Sequence, residues 1–161
     1  MNQKTFDVIV AGGGTAGAIA GLAAARNGAR TLIVEKNRCL GGQFTAGMMG
    51  AWVGFSDKLH RCVGGIAWEL RNILNELGAV VDEDPETDVC YLYDTEVAKV
   101  VLADLAAREP NLTTYLNTQI VDVLQVGDTL SGLVILSEME LMEVRAEMIV
   151  DCTGDAAVAA K

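Results

Sequence analysis

Residues Phe6 to Lys36, FDVIVAGGGTAGAIAGLAAARNGARTLIVEK, constrain the fold more than any other stretch of this 161-residue chain. They read as a strand, a glycine turn, a helix and a second strand ending in an acid. Phe6 to Ala11 is short, mostly apolar and β-branched, as expected of a parallel strand buried on both faces. Gly12, Gly14 and Gly17 then supply the spacing G-x-G-x-x-G. The first glycine permits the tight turn, the second leaves no side chain between the backbone and a pyrophosphate, and the third lets the helix pack closely on the strand. Gly21 continues that small-residue face one turn later. From about Thr15 to Asn27 an alanine-rich helix directs its free N–H groups, from Thr15 and Ala16 onward, and the positive end of its dipole, about half a charge, at the diphosphate. Asn27-Gly28 ends it. Thr31 to Val34 is the second buried strand, and Glu35 at its carboxyl end is placed to accept hydrogen bonds from ribose hydroxyls. The strand before, the helix after and the acid 18 residues beyond Gly17 agree, so the turn is read as a dinucleotide site rather than a structural glycine turn. Glu35 also argues against a ligand with a 2′-phosphate, because two anions would repel there.

The residues that follow decide between dinucleotides. Glu35-Lys36-Asn37-Arg38-Cys39-Leu40-Gly41-Gly42 resembles the acid, basic residue and double glycine of flavoproteins of the glutathione reductase and fumarate reductase type. Lys36 and Arg38 add positive charge, and Gly41-Gly42 lets backbone amides approach a cofactor. Two further stretches, Thr45-Ala46-Gly47 and Ile149-Val150-Asp151-Cys152-Thr153-Gly154-Asp155-Ala156, are similar to the FAD-dependent oxidoreductase family. Cys152 stands where alanine is usual. The resemblance is specific over residues 7 to 47 and 147 to 158, and elsewhere it lies in pattern rather than motif.

That resemblance implies FAD as the cofactor and an α/β, Rossmann-like FAD-binding domain with a parallel sheet plus an antiparallel β-meander. It further implies that Gln43 and Thr45, which follow the double glycine, touch the isoalloxazine or instead fix the loop, that backbone near Gln119, Ile120 and Val121 meets the adenine edge, and that Thr153 and Gly154 lie beside the cofactor. Relatives continue into a substrate domain and a last strand and helix that complete the FAD site. The chain is therefore expected to be C-terminally incomplete, residues 1–161 forming the N-terminal portion of one FAD-binding domain.

Between these motifs the pattern is plainer. Ile66 to Leu77 places Ile66, Leu70, Ile73, Leu74 and Leu77 at helical spacing, with Gly78 as the stop. Residues 81 to 90, acidic and containing Pro85, read as a solvated loop. Asp94 is placed to cap a helix over Thr95 to Arg108 whose Val97, Val100, Val101, Leu105 stripe should face the core. Leu112 to Leu116 should be a third parallel strand. Ile120 to Val126, Leu130 to Ser137 and Leu141 to Val150 should form the meander, broken at Gly127-Asp128 and Glu138 to Glu140.

Charge and cysteine usage narrow the partners. A net charge of −10 speaks against nucleic acid and leaves no basic membrane-binding face. No apolar run approaches the roughly 18 residues that span a bilayer, and no signal sequence precedes Phe6, so a cytoplasmic location is expected. Cys39, Cys62, Cys90 and Cys152 lack C-x-x-C spacing, and with one histidine they form no metal site; reduced, partly buried thiols are expected. Cys39, between Arg38 and the double glycine, is the one to watch for redox chemistry. Trp52 and Trp68 read as core or rim aromatics. Asp155 should cap a final helix. His60 is the sole candidate to carry a proton or bind a substrate carboxylate, and catalytic residues stay unassigned.

The function these readings support is the FAD-binding part of a flavin-dependent oxidoreductase, with hydride moving between a small-molecule substrate and flavin N5. Two rivals stay open: an NAD-binding dehydrogenase domain, and a non-catalytic nucleotide-binding or subunit-interaction module. A shortened parallel sheet would expose an edge and an apolar face, so a second chain or self-association is expected to complete the domain.

Overall fold

The computed structural model describes residues 3–81 and 89–161. In chain order these form β1 (Gln3–Ala11), α1 (Thr15–Arg26), β2 (Thr31–Val34), a 3-10 turn (Gly42–Phe44), β3 (Ala51–Val53), α2 (Gly65–Glu76), β4 (Val80–Val81), β5 (Cys90–Tyr93), α3 (Thr95–Arg108), β6 (Leu112–Tyr115), β7 (Gln119–Val126), β8 (Thr129–Ser137) and β9 (Glu140–Asp151). Among the described residues no helix is long and apolar enough to cross a membrane.

The main sheet runs β6-β2-β1-β9-β8-β7. Its first four strands are parallel, and β9, β8 and β7 form the expected antiparallel meander. One long strand joins the two parts: β9 pairs with β8 from Glu140 to Arg145 and with β1 from Glu143 to Asp151. At the overlap a Cβ on Gly132 would lie 2.3 Å from the Val144 carbonyl oxygen, so only glycine fits there. The meander packs on one face of the parallel strands, where Leu133, Ile135 and Val144 meet Ile9, Leu32 and Val34. Helices cover the other face, where Ala18, Leu22, Leu74, Leu102 and Leu105 meet Val10 and Ile33. Burial on both faces explains why β1 and β2 read as continuous apolar runs, each buried Leu, Ile or Val contributing about 1.5–3 kcal/mol.

Local signals set the helices. Asn27 closes α1, its side-chain amide donating to the Ala23 carbonyl at 2.8 Å, and Gly28 follows at φ +92. Asp94 caps α3 by accepting from the amides of Glu96 (2.8 Å) and Val97 (3.2 Å). The inward stripe of α3 is Ala98, Val101, Leu102 and Leu105, whereas Val100 is 68% exposed. The buried face lies about one residue, roughly a quarter turn, from the stripe the valines mark, and Val101 and Leu105 belong to both. Leu77 is likewise exposed, because it lies beyond the last turn of α2. Arg26 at the end of α1 ties the helices together, pairing with Glu69 of α2 at 2.6 Å and with Glu109 beyond α3 at 2.7 Å.

A second sheet, β3-β5-β4, was not expected. Val81 and Cys90, at the ends of the segment read as a loop, are strand residues, and residues 82–88 between them lie outside the described residues. Trp52, Tyr91 and Tyr93 point to its inner face and stack with Phe44 and Phe55; the Phe44 and Trp52 rings are 4.5 Å apart and nearly parallel. The Tyr93 hydroxyl donates to the Phe44 carbonyl (2.9 Å) and contacts the Met49 carbonyl, and burial pushes its pKa up to about 12. It is therefore a neutral donor pinning the chain after the 3-10 turn. Val53, Val81 and Leu92 are exposed on the outer face.

Candidate functional site

The glycine turn sits where β1 meets α1, and two segments flank it. On one side the double-glycine loop rests on the turn: the Gly41 amide donates to the Gly13 carbonyl (2.8 Å) and Thr15 Oγ1 to the Gly41 carbonyl (2.7 Å). A Cβ on Gly42 would lie 2.9 Å from Gly14 Cα, so here backbone packs on backbone. On the other side β9 ends beside the turn, with the Cys152 amide donating to the Ala11 carbonyl at 2.8 Å. Between them opens a cleft of about 740 Å³, of the size expected for a small-molecule or cofactor site.

Eleven of the fifteen expected cofactor residues line this cleft: Gly12, Gly14, Thr15 and Ala16 from the turn, Glu35 and Lys36 after β2, Gly42 and Gln43 from the loop, Ile120 on β7, and Thr153 and Gly154 after β9. Four do not. Gly17 lies under the turn, where its Cβ would meet the Gly12 carbonyl oxygen at 1.8 Å. Gly41, at φ +102, packs against Thr45 and Leu102. Thr45 is fully buried, its hydroxyl donating to the Leu40 carbonyl at 2.5 Å, so it fixes the loop. Val121 is the extra residue of a bulge between Ile120 and Asp122 on β7, is exposed, and does not line the cleft.

Three positions that the sequence reading passed over shape the same cleft. Glu35 is buried; its Oε2 accepts from the Gly13 amide at 2.7 Å and its Oε1 from both the amide (2.8 Å) and side chain (2.6 Å) of Asn37. Gly13 leaves room for that carboxylate, since its Cβ would lie 2.9 Å from Glu35 Cβ and 2.7 Å from Leu40 Cδ2. The run of three glycines at 12 to 14 was the available signal. At the other wall Asp151, not Asp155, caps the last turn, accepting from Thr153, Val158 and Ala159. Burial would raise its pKa, but these hydrogen bonds outweigh that and hold it below the usual carboxylate range. Burial and the neighbouring Asp151 charge push the Cys152 thiol up.

The other candidates lie elsewhere. His60 is 79% exposed in a loop beside Asp57 and does not line the cleft. Cys39 is half-buried, with its thiol 3.8 Å from Thr45 Oγ1. Cys62 and Cys90 are exposed rather than partly buried, because they sit in the Ser56 to Val63 loop region and on the outer face of β5. All four thiols are free.

Gly14 tests whether the cleft fits a dinucleotide. Its backbone, φ −62 and ψ −167, suits any residue, and a Cβ there would meet nothing within 4 Å. Glycine is a favoured N-cap at this position, and the open space it leaves at the start of α1 suits a phosphate lying against the turn. A parallel sheet with this turn, an acid after β2, a double-glycine loop laid on the turn and a meander following the third parallel strand together define a Rossmann-like, FAD-binding fold.

The FAD dependent oxidoreductase family matches residues 7–161, and the chain belongs to that family. FAD is thus its cofactor, in preference to NAD. Among known proteins it is 27% identical to the digeranylgeranylglycerophospholipid reductase of Picrophilus torridus, over 94% of this chain and 40% of that one. Its fold resembles a geranylgeranyl bacteriochlorophyll reductase-like protein of Thermoplasma acidophilum (TM-score 0.67, 22% identity, 93% of this chain and 39% of that one). It also resembles a flavocytochrome c3 fumarate reductase (TM-score 0.61, 19% identity, 92% and 33%). The chain therefore spans about two-fifths of the length of the curated relative.

Proposed function

We propose that the chain is the FAD-binding part of a flavin-dependent oxidoreductase in which hydride passes between a small-molecule substrate and flavin N5. The observation that carries this reading is the cleft itself, where the glycine turn at the start of α1, with open space above Gly14, faces Glu35 and the double-glycine loop. Bound FAD supplies the two-electron chemistry, and the protein supplies binding and orientation. Glu35, held by Gly13 and Asn37, accepts from the ribose; the first turn of α1 faces the diphosphate; Gln43, after the double glycine, is the residue set toward the isoalloxazine; and Ile120 stands at the adenine side. The charged side chains lining the cleft are Glu35, Lys36 and Asp155, and no histidine is among its lining residues.

Titration of the purified chain with FAD, followed by flavin absorbance and fluorescence with NAD as the control, tests the reading. Saturable, stoichiometric binding of FAD and not NAD is expected, and failure to bind FAD would remove it. A second reading, a binding module completed by another chain or by a second copy, is favoured by Val53, Val81 and Leu92 exposed together on the outer face of the small sheet. Sedimentation at increasing concentration separates the two, a monomer throughout counting against association. The four free thiols fit a reducing, cytoplasmic setting.

A further inference from the structure

We propose that Asp151 is a positioning residue for the cofactor: its carboxylate holds the Cys152 to Ala157 wall of the cleft against the first glycine turn, and FAD affinity depends on it although it does not line the cleft. Asp151 is the last residue of β9 and pairs with Ala11, the residue that leads into the glycine turn. One end of the wall is thus anchored to the strand end from which the turn departs. From there the side chain reaches forward. Oδ1 accepts from the Thr153 amide (3.1 Å) and hydroxyl (2.7 Å), and Oδ2 accepts from the amides of Val158 (3.2 Å) and Ala159 (3.0 Å). Thr153 Oγ1, oriented by that bond, accepts in turn from the Ala157 amide at 2.8 Å. Five hydrogen bonds close residues 151–159 into a loop, and its middle, Thr153, Gly154, Asp155 and Ala157, lines the cleft.

Two features separate this arrangement from an ordinary terminal cap. The wall touches the turn directly: a Cβ on Gly12 would meet the Cys152 carbonyl oxygen at 2.7 Å and Thr153 Cα at 3.1 Å. In a close-packed contact of that kind a shift of the wall must move the turn or open the cleft. The facing wall is fixed independently through Gly13, Thr15 and Gly41, so the width between them is set from the Asp151 side. The fold, by contrast, does not hang on the carboxylate, because Val158, 4% exposed, anchors the last turn in the core beside Ile9 and Val34. In Asp151→Asn the shape stays the same, but whichever way the amide turns its NH2 faces a backbone N–H, that of Thr153 or those of Val158 and Ala159, donor against donor.

The test compares FAD titrations of the full chain as wild type, Asp151→Asn and Arg26→Ala, the last removing the ion pairs at the opposite end of α1. Asp151→Asn is expected to raise the FAD Kd at least tenfold, to leave the saturated flavin less quenched than in wild type, and to speed amide exchange at Thr153 or at Val158 and Ala159. Arg26→Ala is expected to lower the melting temperature while keeping Kd within twofold and the bound spectrum unchanged. Thr153→Val, which removes only the hydroxyl arm of the network, should raise Kd by a smaller factor. An unchanged Kd in Asp151→Asn, or the same Kd and spectrum as Arg26→Ala at matched loss of thermal stability, would overturn the proposal. Absence of FAD binding by the wild type would instead sink the functional reading, and this one with it.

Discussion

Around the cleft backbone lies on backbone, with a Cβ at Gly17 only 1.8 Å from the Gly12 oxygen and one at Gly42 only 2.9 Å from Gly14 Cα. Behind it, in the small sheet, rings lie on rings, and the centroids of Phe44, Trp52 and Tyr93 are 4.5 to 4.6 Å apart. The first kind of contact admits one residue type, since any side chain occupies space already filled. The second asks for volume and shape, which several apolar residues can meet at modest cost. Ligand recognition is built from the intolerant contacts and structural support from the tolerant ones.

Gly17→Ala should break the first region most completely. Both partners are main chain and cannot turn aside, so α1 must lift from β1. We expect loss of FAD binding by more than a hundredfold together with a lower melting temperature, read by flavin titration and calorimetry. Trp52→Ala attacks the other region. It removes a ring stacked on Phe44 and Tyr93 and should cost about 3 kcal/mol of unfolding free energy in urea. Its FAD affinity should change by less than about threefold; a larger change would mean that the aromatic cluster sets the cleft through Phe44.

That contrast also governs what the sequence discloses. The β1–α1–β2 unit, the Asp94 cap, the third parallel strand and the meander were legible to within a few residues, because each rests on a local requirement such as a turn, a cap or an alternation. The strands β3, β4 and β5 were not, for they are two to four residues long and the β3–β5 pairing joins segments about 40 residues apart. In the site, most residues chosen for a motif position line the cleft, whereas Thr45, read as touching the ligand or fixing its loop, is buried and does the second. Asp151 was passed over for Asp155 because the distinction depends on which carboxylate the last turn folds back upon, a tertiary fact.

Gly14→Ala sharpens the comparison, since it asks whether a glycine free of any packing duty is kept for a ligand. With φ −62 and open space around it, alanine meets no strain, and the melting temperature should move little, the reduced freedom of the unfolded chain offsetting the loss of a glycine N-cap. The methyl group would project into the cleft, and FAD affinity should fall about tenfold, equivalent to about 1.4 kcal/mol. Normal binding by this variant would show that the space above the turn is not used.

The smallest expected effect separates the regions by pH. Asp151 at the cleft and Asp57 in the loop leading from the aromatic cluster are both held below the usual carboxylate range. For Asp57 the causes are the amides of Leu59 and His60; for Asp151 its four donors overcome the opposing effect of burial. A depressed folded-state pKa means that the unfolded chain binds the proton more readily. The stabilisation is therefore fully present above the ordinary value near 4 and is lost as pH falls through the folded one. Urea midpoints of wild type and Asp151→Asn should differ at pH 7 and converge toward pH 3. The same comparison for Asp57→Asn should show a smaller gap, because its exposed donors can turn to water instead. A gap for Asp151→Asn that persisted undiminished into acid would mean that the amide substitution acts through shape, and that the charge on this carboxylate contributes nothing to holding the wall.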